Sequence, residues 1–184
     1  MADIILLTRE EKAAIRKASW GHDPMGFVMK PDLYRADGTI ELGEWTHNSI
    51  PNEGYDTIWN VYFKGGTQPT GATAFALGLA ASITAGWSLA SVIGDMVAVT
   101  GTGYAVQDLN ASTNWTITGN PMVATAAQVT FTAGGTWTAG IGAYLTAVTA
   151  TKLICYDAFA ASRTLYNGDT LKVTLTATRE AATE

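Results

Sequence analysis

The sequence predicts a mainly β protein: an antiparallel β-sandwich or jelly roll with two short helices and an extended N-terminal arm. Three observations support this prediction. From residue 72 onward, short runs alternate apolar and polar side chains with a period of two, which is typical of half-buried strands. Turn signals rich in glycine and asparagine separate these runs. Charged residues make up only 15% of the chain, against about 25% in ordinary soluble proteins, and 19 glycines accompany many threonines.

The first predicted element is a short helix over residues 9–19. Thr8 and Glu11 have the spacing of a capping box, in which each side chain accepts a hydrogen bond from a free amide of the first turn. Gly21 lies where the helix should end. The acidic start and the basic end of the segment both complement the helix dipole.

Residues 20–50 are dense in proline, glycine and aspartate, which leaves room only for short strands at 25–30 and 39–45. A turn at Ala36-Asp37-Gly38 should join these strands. We expect most of this segment to be an arm, which at about 3.3 Å per residue is long enough to contact a neighbouring subunit. The alternative is a segment that folds back on its own domain.

A second helix is predicted over residues 53–64. Asn52 can cap its N-terminus, and Gly65-Gly66 should end it. Apolar residues recur within it at helical spacing and form one stripe, which we expect to face a core. The stripe consists of Tyr55, Ile58, Trp59, Tyr62 and Phe63.

Strands make up the rest of the prediction. The first is a buried strand from Thr73 to Ala80, followed by a loop or small helix that covers one open end of the sheet pair. Residues 72–94 contain no charge and reach the length of a membrane span, but small and hydroxyl side chains fill most positions and argue against one. Further strands with period-two alternation are predicted at 97–99, 115–117, 129–131, 153–155 and 171–175.

The residue types give little support for catalysis, metal binding or nucleic-acid binding. A net charge of −5 disfavours the neutralisation of phosphates as the main role. Both histidines, His22 and His47, lie in the predicted arm. Cys155 shares a predicted strand face with Leu153, so we expect it to be a small buried hydrophobe. We therefore expect no enzyme activity, no cofactor and no metal. No spacing pairs any two of the acidic residues Asp95, Asp108, Asp157 and Asp169 for general acid–base work.

Several aromatic residues have no core role in the predicted elements. Aromatic rings on a β-face can stack on sugars, and Trp and Tyr are also enriched in protein interfaces. Both uses stay open for this chain. The candidate surface aromatics are Trp45, Trp87, Tyr104 and Trp137.

From residue 52 onward, a series of motifs follows in a characteristic order: Asn52-Glu53-Gly54-Tyr55, 61–67, Ala76-Leu77-Gly78-Leu79, Gly101-Thr102-Gly103-Tyr104, 129–132 before Trp137, 161–165 and 167–171. As a set, these motifs resemble a group of virion proteins of tailed bacteriophages, variously described as head decoration, neck or tail-fibre-like proteins. The resemblance implies a non-catalytic assembly protein: a β-sandwich that is carried on a virus particle and bound to its partner through one edge and an arm. It transfers no catalytic residue.

The leading hypothesis is a capsid decoration (cement) protein that bridges major capsid subunits. The alternative is a neck, tail or fibre component with a glycan- or receptor-binding β-sandwich. Residues 1–50 would form the helix and arm, and residues 51–184 the β-domain. We expect a homo-oligomer, with a trimer as one option, that binds virion proteins but no nucleic acid or membrane. The N-terminus shows no secretory signal, so assembly in the host cytoplasm is expected. The predicted arm anchors are Ile4, Ile5, Leu6, Leu7 and Trp20.

Overall fold

The computed structural model of the protein describes residues 25–47, 50–66, 74–109, 115–118, 123–126, 128–147 and 151–179. Over these residues the chain is mainly β, as predicted, and its strands form two antiparallel sheets. In chain order, the elements are β1 (Met25–Tyr34), β2 (Ile40–Glu41), β3 (Thr46–His47), α1 (Asn52–Phe63), β4 (Phe75–Ile83), a 3₁₀ turn (Ile93–Asp95), β5 (Met96–Ala98), β6 (Gln107–Leu109), β7 (Trp115–Thr118), β8 (Val123–Ala126), β9 (Val129–Thr132), β10 (Gly140–Ala147), β11 (Lys152–Arg163) and β12 (Thr170–Arg179).

The larger sheet has seven strands in the order β2-β1-β12-β8-β7, with β3 also paired to β1 and β9 also paired to β12. Its central pairing joins the first and the last described strands: β1 and β12 run antiparallel from Met25 opposite Arg179 to Tyr34 opposite Thr170. The predicted arm is therefore wrong for residues 25–47, which fold back on the β-domain. The backbone hydrogen bonds of a ten-residue strand need a partner strand, and β12 supplies it.

The smaller sheet has five strands in the order β11-β10-β4-β5, with β6 also paired to β4. Strand β4 thus meets two short partners along one edge: β6 pairs with Phe75 to Leu77, and β5 pairs from Ala80 onward. Leu79 falls between the two partners. The hydroxyl of Tyr104 fills this gap, because it accepts a hydrogen bond from the Leu79 N–H at 2.8 Å and lies 3.2 Å from the Leu79 carbonyl oxygen.

One buried apolar cluster takes side chains from both sheets. The larger sheet contributes residues of β1, β9 and β12, and the smaller sheet contributes residues of β4, β10 and β11. Burial of these side chains removes about 0.8 kcal/mol of unfavourable hydration for each methylene group. The largest fully buried members include Met29, Leu33, Leu77, Leu79, Leu109, Phe131, Trp137, Leu145, Leu165 and Leu171.

Helix α1 packs on the smaller sheet through Gly54. A β-carbon on Gly54 would overlap the carbonyl oxygen of Ile154 in β11, so only glycine allows this close approach. The opposite side of the helix faces solvent, with Trp59 52% exposed and Phe63 73% exposed. The prediction that the aromatic stripe faces a core is therefore wrong for these two residues, because the contact is made by the backbone at Gly54.

The ends of α1 differ in how well they follow their sequence signals. Asn52 is the first helical residue rather than the cap; the capping position is Pro51, which has no side-chain hydrogen bond. The C-terminus ends at Gly65-Gly66 as predicted, with a positive φ at Gly65 and the Gly66 N–H bonded to the Asn60 carbonyl oxygen at 2.8 Å.

The predicted strands of the β-domain are present in the two sheets, as β5, β7, β9, β11 and β12. The strand predicted from Thr73 to Ala80 is β4, and the segment after it lies against the outer face of the smaller sheet, where Trp87 and Ile93 pack around Tyr156. The helix predicted over residues 9–19 lies outside the described residues. Within the described ranges, no helix is both long and apolar enough to cross a lipid bilayer.

Candidate functional site: a groove beside helix α1

A groove of about 450 Å³ runs along one side of α1. This volume falls within the range of about 300–1,000 Å³ that is usual for small-molecule sites. The helix forms one wall, while the segment before the 3₁₀ turn and the first residue of β11 form the other. The lining residues are Asn52, Glu53, Asp56, Thr57, Asn60, Ala90, Val92 and Lys152.

Glu53 ties the two walls together. Its Oε2 accepts a hydrogen bond from the Leu153 N–H of β11 at 2.8 Å and another from the Ile93 N–H of the 3₁₀ turn at 3.1 Å. The ammonium of Lys152 lies 3.4 Å from Oε1. Because one carboxylate of α1 binds backbone groups of both β11 and the 3₁₀ turn, it holds the helix wall against the opposite wall of the groove.

Replacing Glu53 with Ala should lower the free energy of unfolding by about 1–3 kcal/mol, because the N–H groups of Leu153 and Ile93 lose their acceptor. Chemical denaturation of the purified chain measures this loss. Glu53→Gln is the matched control, since an amide oxygen can still accept both hydrogen bonds. It gives up only the pair with the half-exposed Lys152, which contributes at most about 1 kcal/mol. Equal losses in the two variants would contradict this role.

The polar side chains along the helix wall are free to bind a ligand. Asn52, Asp56 and Asn60 are exposed, and none of their side chains hydrogen-bonds to another described residue. Asp56 and Asn60 are four residues apart, so they are neighbours on the helix surface. Together they offer a carboxylate and an amide, which can accept and donate hydrogen bonds in one region.

An exposed aromatic pair borders this polar wall. The rings of Trp59 and Phe63 lie 4.8 Å apart between centroids, with an angle of 37° between their planes. Trp59 follows Asp56 by three residues, and Phe63 follows Asn60 by three residues, so each ring is a helix-surface neighbour of a polar lining residue. The helical spacing in the sequence placed both residues on one stripe, but it did not show that their rings face solvent.

Two of the four candidate surface aromatics belong to the core instead. Trp137 is only 2% exposed, and its Nε1–H donates to the Thr102 carbonyl oxygen at 2.8 Å. Tyr104 is half-buried and meets the Trp137 ring edge-on at 5.3 Å between centroids. The prediction of surface positions is wrong for these residues, because the turn at Gly101 lies flat against the indole ring of Trp137 and brings Tyr104 beside it.

The other two candidate surface aromatics are half-buried. Trp87 packs on Tyr156 at 5.1 Å between ring centroids and helps to cover the outer face of the smaller sheet. Trp45 packs against Val28 of β1. Neither side chain contributes to the groove. The predicted arm anchors Ile4, Ile5, Leu6, Leu7 and Trp20 lie outside the described residues, as does His22.

A buried carboxylate connects the two sheets. Asp157 of β11 is 1% exposed, and its Oδ2 accepts hydrogen bonds from the Met29 N–H of β1 at 3.1 Å and from the Thr46 hydroxyl of β3 at 2.6 Å. Burial raises the pKa of Asp157 to about 7, although both hydrogen bonds act to lower it. Asp157 lies two residues after Cys155, so the two side chains are on the same face of the strand. Because Cys155 was predicted to lie in the core, this spacing could have indicated that Asp157 is buried as well.

Four charged residues form a network at the far end of β1. Arg35 lies 2.7 Å from Glu41 and 2.8 Å from Asp169, and Arg163 lies 2.7 Å from the other oxygen of Glu41. Burial acts to raise the pKa of Asp169, but hydrogen bonds from two backbone N–H groups and from Arg35 lower it below its usual range. These charges pair with one another, so the network joins the β1–β2 turn to the loop before β12.

Within the described ranges, no group of three or more His, Cys, Asp or Glu side chains is arranged to hold a metal ion. Comparison with known proteins identifies no relative: no protein-family model, no curated protein and no solved structure matches the chain.

Proposed function

We propose that the chain is a structural protein of a tailed-bacteriophage virion, and more specifically a capsid decoration protein that bridges neighbouring major capsid subunits. The series of motifs from residue 52 onward supports this proposal through its resemblance to such virion proteins. In this proposal, the two antiparallel sheets pack face to face as a β-sandwich. Their shared apolar cluster and the hydrogen bonds from β1 and β3 to Asp157 support that arrangement.

The observation that carries the proposal is an exposed apolar edge on the larger sheet. Ile40 lies on β2 and is 56% exposed, and Leu42 directly follows the strand and is 67% exposed. Strand β2 lies at the end of the strand order, beside β1. Exposed apolar side chains at the end of a sheet form a surface that an assembly protein can cover with a partner.

The N-terminal segment supplies the second contact in this proposal. Because residues 25–47 belong to the larger sheet, the capsid-binding arm is reduced to residues 1–24, which include all the predicted anchors from Ile4 to Trp20. Deleting residues 1–22 should abolish attachment to purified particles and leave the β-domain folded. Unchanged occupancy on the particles would overturn the role of the arm.

Quantitative mass spectrometry of purified virions tests the proposed function, with the major capsid protein as the internal reference. Hundreds of copies per particle are expected for a protein that decorates the capsid lattice. A few dozen copies or fewer would replace this proposal with a neck, tail or fibre component. Absence from the particles would overturn a virion role altogether.

A further inference from the structure

We propose that the groove beside α1 binds an uncharged saccharide, with the Trp59–Phe63 pair as the stacking platform and Asp56 and Asn60 as hydrogen-bonding partners. This inference concerns the purified chain and does not depend on the place of the protein in a virion. It also moves any sugar-binding role away from Trp137 and Tyr104, which are used by the core.

The ligand class follows from two kinds of surface that are neighbours on α1: the polar lining of the groove and the exposed aromatic pair beside it. A hexose ring has an apolar face of C–H groups and a rim of hydroxyls, each of which both donates and accepts a hydrogen bond. The exposed Trp59 ring, which packs against Phe63 at 37°, is an apolar surface that can cover the face of the sugar ring. The carboxylate of Asp56 accepts from hydroxyls, and the amide of Asn60 does both.

The polar partners have unused hydrogen-bonding capacity. Asp56 and Asn60 are exposed and make no side-chain hydrogen bond to any described residue. Glu53, by contrast, is already occupied by two backbone N–H groups and by Lys152, so it shapes the groove and is not a binding group. A saccharide would therefore bind the helix wall without displacing the contacts that hold the walls together.

Charge selects neutral sugars over acidic ones. The groove contains two carboxylates, Glu53 and Asp56, and one ammonium, Lys152, whose partner is Glu53. The uncompensated charge is therefore the carboxylate of Asp56, which repels the carboxylate of a sialic or uronic acid. A purely apolar partner surface would leave Asp56 and Asn60 desolvated without partners, which is unfavourable.

A glycan array with the purified full-length chain tests this inference. The array should carry glucose-, galactose- and mannose-terminated oligosaccharides beside sialylated and uronic acid glycans. We expect signals on neutral glycans, and titration with the strongest of them should show a loss of affinity of about tenfold or more for Trp59→Ala. Asp56→Ala should also weaken binding.

Tyr166→Ala is the matched control, because it removes an exposed aromatic residue that lies over Arg35, at the far end of β1 from β3. Its affinity should equal that of the unaltered chain. Circular dichroism of Trp59→Ala should be unchanged, since the side chain is half exposed. No binding to neutral glycans, binding to acidic glycans alone, or an affinity that Trp59→Ala leaves unchanged would overturn the inference. A virion copy number of any size leaves it unaffected, so the two proposals fail separately.

Discussion

Asp157→Asn is expected to remove a pH dependence of stability that the unaltered protein shows between about pH 4 and pH 8. The carboxylate is buried between the sheets, and burial raises its pKa in the folded state to about 7. In the unfolded chain the pKa of this carboxyl returns to its ordinary value of 3.8. The folded state therefore binds the proton more tightly, and the stability that this group contributes is full below about pH 4 and is lost as the pH rises through 7.

The size of the effect follows from the distance between the two pKa values. A difference of about three pKa units corresponds to at most about 4 kcal/mol, a large part of the total stability of a typical domain. The side-chain amide that this substitution introduces would stay neutral across the same pH range. Its oxygen can still accept the hydrogen bonds from the Met29 N–H and the Thr46 hydroxyl, so the variant should be more stable than the unaltered protein at pH 8.

Urea denaturation at pH 5, 6, 7 and 8 measures this difference. The two histidines of the chain are present in both proteins, so the difference between the two curves isolates Asp157. Asp108→Asn, at an exposed position of β6, is the control and should keep the slope of the unaltered protein. Parallel curves for Asp157→Asn and the unaltered protein would contradict the role of the buried carboxylate.

Trp137→Ala should lower the free energy of unfolding by about 3–5 kcal/mol. The indole is fully buried, so its removal leaves a cavity beside Tyr104 and takes away the N–H donor to the Thr102 carbonyl oxygen. A loss of this size approaches the whole stability of a small domain. Chemical denaturation gives the value. Trp137→Phe should lose less stability, because it keeps an aromatic ring and most of the buried volume, although it also removes the N–H donor.

Trp59→Ala is the comparison that separates core from surface. Its ring is half exposed on α1, so its truncation should change stability by less than about 1 kcal/mol. If Trp137→Ala and Trp59→Ala were equally mild, the placement of Trp137 in the core would be contradicted. The pair also guides binding studies, since a loss of sugar binding in Trp137→Ala would report unfolding rather than a lost contact.

Local sequence signals predicted α1 and several of the strands, but not β10, whose residues are buried on both faces and show no alternation. Alternation with a period of two indicates a strand wherever one face is covered and the other is not, as in β9. The Asp37-Gly38 turn and the Gly65-Gly66 helix end depend on backbone angles that glycine adopts easily, so they are visible in a few residues. Cys155 was predicted in the core because it shares one strand face with Leu153, and both side chains are buried.

Contacts between distant residues decided everything that local patterns leave open. Alternation distinguishes two faces of β1 but does not name its partner, and only the folded chain pairs Met25 with Arg179. The helical stripe of α1 is apolar, yet Gly54 allows the helix backbone to approach Ile154 and so turns Trp59 to solvent. The burial of Trp137 likewise depends on a turn more than thirty residues earlier, and that of Asp157 depends on donors in β1 and β3. Composition and periodicity therefore determined the mainly β class and the places of α1 and of several strands, while the tertiary structure decided which faces are buried and which side chains are exposed, because burial is a property of the partner as much as of the residue.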